Sequence, residues 1–163
     1  TASFILSSGA GIGVSYAAEK TAYVVLGTLF DKYERTQEAD AELSEMAAEK
    51  QEERDELVEE IRRMKDEMVV LSDEGEEKIK KQAEIDKKIK ELQGFDEKTR
   101  GYLREIRNEN VKEIFADMND AIEEYGEKKG YDYIFSDRAL IYKDEKLDIT
   151  DTILKKINSE YKK

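Results

Sequence analysis

The sequence predicts a mostly α-helical protein with a small β base. A long antiparallel helical hairpin, an arm of coiled-coil type, stands on a compact knob of short strands. Three observations lead there. Roughly a hundred residues, from Thr28 to Gly130, are dominated by Glu, Lys, Arg, Asp, Leu, Ile, Met and Ala, and the chain has no proline. Apolar residues recur through that stretch at alternating steps of three and four, the seam of paired helices. Strand-like runs flank it on both sides.

Composition bounds the rest. Of 163 residues, 39% are hydrophobic and 42% charged, which is too polar for an ordinary compact globule and suits a thin helical object. Cys, His and Trp are absent. That removes disulfides, thiol nucleophiles, Cys/His zinc sites and imidazole acid–base chemistry. A net charge of −12 argues against nucleic acid as the main ligand and favours solubility.

Residues 1–17 carry no charged side chain. Phe4-Ile5-Leu6 and the small residues Ser7 to Val14 form a short apolar segment, and Ser15-Tyr16-Ala17 offers small residues where signal peptidase reads. We read 1–17 as the remnant of a signal peptide cleaved before Ala18, so that the mature protein works outside the cytoplasm. Gly9, Gly11 and Gly13 lack the preceding strand and the Lys-Ser/Thr ending of a nucleotide-binding loop.

Thr21–Leu26 is β-prone and is ended by Gly27. Thr28 is the expected N-cap of the first arm helix. The seam then runs through Leu43, Ala47, Lys50, Arg54, Leu57, Ile61, Met64, Met68 and Leu71, with Lys50 and Arg54 as charged interruptions. A looser version follows at Ile79, Ile85, Ile89, Leu92, Leu103, Ile106, Ile114, Met118 and Ile122. Between them, residues 72–77 make the tip: Gly75 can end one helix in the left-handed conformation, and Ser72 or Asp73 can cap the next. A single continuous helix is the competing arrangement. Pairing arithmetic favours the hairpin, because folding at Glu74 brings together residues whose numbers add to about 149 or 150. Leu57 then meets Leu92, Ile61 meets Ile89, Met64 meets Ile85, and Arg54 meets Asp96.

Charge is uneven along the arm. Asp31 to Glu60 holds thirteen Asp or Glu against four Lys or Arg, whereas Ile61 to Leu92 is balanced at nine each. Most of this reads as solvated helix face. Gly94 and Gly101 fall inside the second helix opposite the interrupted seam, and mark an expected hinge. The second helix ends through Lys128-Lys129 at Gly130. Tyr131–Phe135 and Ala139–Tyr142 read as two further strands. Asp148 is the expected cap of a last helix, Ile149 to about Glu160, with Asp151 completing a variant capping box. The chain therefore divides into a base, 18–27 with 131–163, and an arm, 28–130.

The tail Gly130-Tyr131-Asp132-Tyr133-Ile134, then Ala139-Leu140-Ile141-Tyr142, then Asp148-Ile149-Thr150-Asp151 resembles the closing strands and helix start of the Skp/OmpH family of periplasmic chaperones. Glu19 to Val24, with Leu29-Phe30, is similar to that family's first strand and helix entry. The resemblance covers about Ala18 to Lys156; in the arms it is compositional. It implies a jellyfish-like homotrimer whose arms enclose unfolded outer-membrane proteins. The trimer base would use Tyr23, Val24, Val25, Tyr133, Phe135, Leu140 and Ile141. Met64, Met68, Val69, Val70 and Ile85 are the expected client-facing side chains, although each also fits ordinary seam packing. The tips offer a transient contact with a membrane surface. No cofactor, metal, nucleic acid or catalytic residue is expected. The best-known family members are strongly basic, and this chain is acidic. A non-catalytic envelope scaffold binding a folded partner is the alternative. A prefoldin-like chaperone fits less well, because its strands lie between its helices. An enzyme fits least, since no carboxylate has the context that would focus chemistry.

Overall fold

The computed structural model describes residues 18–71 and 75–162. The expected signal remnant, 1–17, lies outside the described residues, as do Ser72, Asp73 and Glu74 of the tip. In chain order the elements are β1 (Thr21–Val24), α1 (Leu26–Lys32), α2 (Glu34–Val69), α3 (Glu76–Lys129), β2 (Tyr133–Ser136) and α4 (Thr150–Tyr161), with 3-10 turns at Asp137–Ala139 and Glu145–Leu147.

α2 and α3 form the antiparallel hairpin, and ion pairs follow the expected register. Arg54 Nε lies 2.9 Å from Asp96 Oδ1, Lys88 Nζ 2.9 Å from Glu60, and Lys81 Nζ 2.5 Å from Glu67. α3 has 54 residues against 36 in α2. At about 1.5 Å per residue α3 is roughly 80 Å long. Its extra length runs into the base. There Ile114, Met118 and Ala121, at steps of four and three, bury one stripe against α1, α4 and the strands.

β1 and β2 pair in parallel, from Thr21 opposite Tyr133 to Val24 opposite Ser136. A parallel pair needs a long crossover, and here the whole arm supplies it. The Asp-Ile-Thr start of α4 closes the other side of β1. Ile149 N–H donates to the Tyr23 carbonyl at 3.0 Å, and Val25 N–H donates to Thr150 Oγ1 at 2.9 Å. Asp148 accepts from Thr150 N–H at 2.8 Å, so it caps α4 from one residue before the N-cap, Ile149, and no capping box forms with Asp151.

Other expectations are corrected. The first helix begins at Leu26, with Thr28 inside it, because Leu29 N–H reaches the Val25 carbonyl at 3.0 Å and buries Leu29 completely. It breaks at Tyr33, whose backbone is extended, before α2 starts. Gly75 is the extended N-cap of α3 (φ −83°) and does not adopt the left-handed conformation. Ala139–Tyr142 forms no strand. The chain turns at 137–139, and the outer side of β1 is already taken by the Tyr23–Asp148 bridge.

α3 stops at a Schellman motif. Tyr131 N–H donates to the Gly126 carbonyl at 3.0 Å, and Gly130 N–H to that of Glu127 at 3.1 Å, with Gly130 left-handed at φ 66°. Gly126 is closely packed instead: a Cβ there would lie 3.1 Å from Ile134 Cδ1, which would have to shift by a few tenths of an ångström. A Cβ at Gly94 would meet nothing within 4 Å. Gly130→Ala should therefore destabilise the fold by about 1–2 kcal/mol, and Gly94→Ala should stabilise it by about 1 kcal/mol. Urea unfolding of the two variants measures both, and shifts of the same sign would refute this account of the glycines.

Candidate functional site

The arm is held at its root by a clamp between α2, α3 and α4. The break at Tyr33 turns that side chain inward, where it is buried. Its hydroxyl donates to Asp117 on α3 at 2.9 Å, and its ring meets Tyr161 of α4 edge to face, centroids 5.7 Å apart. Arg35 forks onto Asp117, at 2.6 Å, and Glu113. Asn158 on α4 caps α2 by accepting from Glu34 N–H at 3.0 Å. Lys156 ties α4 to Glu124 on α3 at 2.7 Å, and Lys162 ties it to Glu34 at 2.7 Å. Burial, reinforced by the hydrogen bond to Asp117, raises the Tyr33 phenol well above its ordinary value. The hydrogen bond from Lys156 holds Glu124 below the usual carboxylate range.

Towards the tip the apolar side chains are open. Val69 is 78% exposed, Val70 84% and Ile79 71%. Met64 and Met68 are half-buried. Met68, Ile79 and Ala83 line a groove of about 480 Å³ with Lys78, Gln82 and Asp86. Ile85 corrects the expectation made for it: at 1% exposure it is closed into the seam and presents nothing to a ligand. Ile79 was expected in that seam and lies outside it, because the pairing of α2 and α3 runs out near the tip. Its place four residues into α3 is the signal that marks it.

Midway along the arm, α3 runs unbroken through Gly94 and Gly101. Phe95 is half-buried between two open cavities. One, of about 950 Å³, is lined by Leu57 and by carboxylates of α2; the other, of about 430 Å³, includes Lys50, Arg54 and Arg100. Sequence reasoning passed over Phe95 because it is off the apolar spacing. Tyr102 and Phe115 are also exposed.

At the base, Tyr23 and Val24 are buried within the chain, whereas Val25 and Leu140 are half-buried. Tyr133 and Phe135 stack on each other in the open, centroids 5.9 Å apart. Ile141, Tyr142 and Leu147 are exposed as well. Lys143 Nζ lies 4.9 Å from the centre of the Tyr23 ring. Among the described residues no cluster of His, Cys, Asp or Glu is placed to hold a metal ion, and no helix is long and apolar enough to cross a membrane.

Comparison with known proteins identifies the family and the fold. The family model described as outer membrane protein (OmpH-like) matches residues 20–157. No curated protein matches the chain. The fold is similar to the crystal structure of a candidate outer membrane chaperone (OmpH-like) from Caulobacter crescentus CB15. The TM-score is 0.74 at 13% sequence identity, over 90% of this chain and 88% of that one.

The Tyr33 clamp has a measurable signature. Because its phenol is raised in the fold, its stabilisation is complete below the unfolded-state value near 10 and is lost as pH rises through the folded value. In a tyrosinate absorbance titration the Tyr33 phenol should ionise only as the protein unfolds. Tyr33→Phe should remove one phenol from that late component and cost about 1 kcal/mol at neutral pH. An unchanged late component in the variant would assign it to another tyrosine.

Proposed function

The chain belongs to the OmpH-like outer membrane protein family, and from that membership we propose that it is a chaperone, an ATP-independent holdase for unfolded outer-membrane proteins in the periplasm. The observation that carries this reading is the exposure of apolar side chains along the arm: Val69, Val70 and Ile79 near the tip, Phe95 between two cavities, and Tyr102 and Phe115 below. A thin arm rooted in a tightly clamped base offers such surface to a chain in no fixed shape. Met64 and Met68 adapt to whatever side chain they meet. Residues 1–17 act as the secretion signal. The base is the association unit, and the tips touch the membrane surface briefly.

Three copies join through their bases. Tyr133, Phe135 and Ile141 support this, because, like Tyr142 and Leu147, they are large apolar side chains of the base that the chain does not cover itself. Tyr23 and Val24 contribute from inside, by holding β2 in place. Three arms on one base enclose a space in which a client is kept from its neighbours. Gly94 and Gly101 lend compliance to that cage at the level where apolar burial is thinnest.

In the decisive assay a β-barrel membrane protein is diluted from denaturant into an equal amount of the purified chain without ATP. The barrel should stay soluble, and the double substitution Gly94→Ala, Gly101→Ala should weaken capture of large clients more than small ones. Aggregation as fast as in buffer would sink the holdase reading and favour a scaffold for a folded partner. Sedimentation at micromolar concentration should give a trimer, and Ile141→Lys with Phe135→Lys should release monomer. A monomeric unsubstituted chain would refute the assembly.

A further inference from the structure

The larger cavity beside Phe95 has a chemistry that selects among unfolded chains. Its floor is apolar, made by Leu57 of α2 and the half-buried ring of Phe95 from α3. Its rim is anionic: six carboxylates line it against one cation, Arg63. Three of those carboxylates are matched locally, Glu53 by Lys50, Glu59 by Arg62 and Glu60 by Lys88. Glu52, Asp55 and Glu56 make no ion pair among the described residues, and Asp55 only accepts from Gln51.

These three share a face of α2, at helical steps of three and four, where side chains are about 5–6 Å apart. That is inside the screening length of about 8–10 Å at physiological salt, so their fields add. Of the neighbouring cations on α2, Arg54 is turned to Asp96 on α3 and Lys50 to Glu53, which leaves Arg63 as the one cation on the rim. Like charges at these spacings oppose one another, and a cation arriving between them relieves that opposition. A metal ion does not answer the arrangement, since no carboxylate cluster among the described residues is gathered tightly enough to hold one.

We propose that the groove between α2 and α3 at Phe95 binds unfolded polypeptide segments in which an apolar residue is flanked by lysine or arginine. The apolar side chain sits on Leu57 and Phe95, an arginine can lie over the Phe95 ring, and the cations reach Glu52, Asp55 and Glu56. The inference rests on the holdase reading and adds a charge preference to it: the acidic arm selects basic stretches of its clients.

The test uses the full chain and two versions of one denatured β-barrel membrane protein, one with added lysines and one with added glutamates at the same positions. Light scattering follows aggregation at low and at high salt. At low salt the lysine-rich client should be held at roughly tenfold lower chaperone concentration than the glutamate-rich one, and salt should close that gap. Glu52→Gln, Asp55→Asn and Glu56→Gln together should narrow the gap. They are exposed and their neutralisation removes repulsion, so the fold is kept. Phe95→Ala should weaken capture of the lysine-rich client, with Phe95→Leu restoring it. Glu19→Gln, Glu123→Gln and Glu127→Gln, an equal loss of charge on the base, should leave the gap as it was. Equal capture of both clients, or a gap that responds to the base substitutions as much as to the groove ones, overturns the groove and leaves the holdase reading standing. Capture of neither client overturns both.

Discussion

The arm stands because the segments on either side of it meet. β1 and β2 are separated by the entire hairpin, yet pair residue for residue in parallel. Two strands of four residues cannot hold themselves together. What holds them is the layer beneath: Leu29 and Tyr33 from the first helix and its break, Ile114 and Met118 from α3, Ile153 and Ile157 from α4. α4 is the keystone, since it packs on α1 and α3 and its C-terminal half reaches α2 through Asn158 and Tyr161. The Asp-Ile-Thr turn that opens it is tied directly to the end of β1. Closure entropy grows only with the logarithm of loop length, and each added turn of hairpin carries its own hydrogen bonds. Once this root is closed, a long arm is hardly harder to hold than a short one.

Beyond the root, the geometry of two helices limits burial. A pair has one seam, and among the described residues of the distal arm only Ile61 and Ile85 are buried in it. Ion pairs across the hairpin, such as Lys88 with Glu60 and Lys81 with Glu67, are partly exposed and each worth about 0–1 kcal/mol. Their value lies in register. A slip of one turn would separate all three cross-hairpin pairs, Arg54–Asp96, Lys88–Glu60 and Lys81–Glu67, at once. The same geometry that starves the arm of burial leaves its apolar side chains available to others.

Much of this was legible in the sequence, because the strongest signals are periodic and long. The hairpin, its register through Arg54 and Asp96, the C-cap at Gly130 and the joining of the two ends all follow from spacing and turn chemistry. What sequence reasoning missed depends on tertiary contacts. The break at Tyr33 has no breaker residue to announce it; burial of one phenol against Asp117 and Tyr161 enforces it. The strand expected at Ala139–Tyr142 has the right composition, but no edge within the chain is free to receive it. Ile85 keeps the seam place that its spacing predicted and Ile79 does not, because exposure near a tip depends on where pairing ends, which a repeat of three and four does not encode. Phe95 falls between the seam positions and is visible only once two helices surround it.

The middle of the arm shows how one pair of residues sets several properties at once. Lys50 and Arg54 stand where the seam calls for apolar side chains. Arg54 finds Asp96 across the hairpin, and Lys50 turns back to Glu53 on its own helix. Neither fills the space that a leucine would, so cavities open on both sides of Phe95. α3 passes this level without a break in its hydrogen bonds, Gly94 and Gly101 included. The charge that fixes the register thus also thins the packing, and the thin packing is what gives the arm a groove with an apolar floor under an acidic rim.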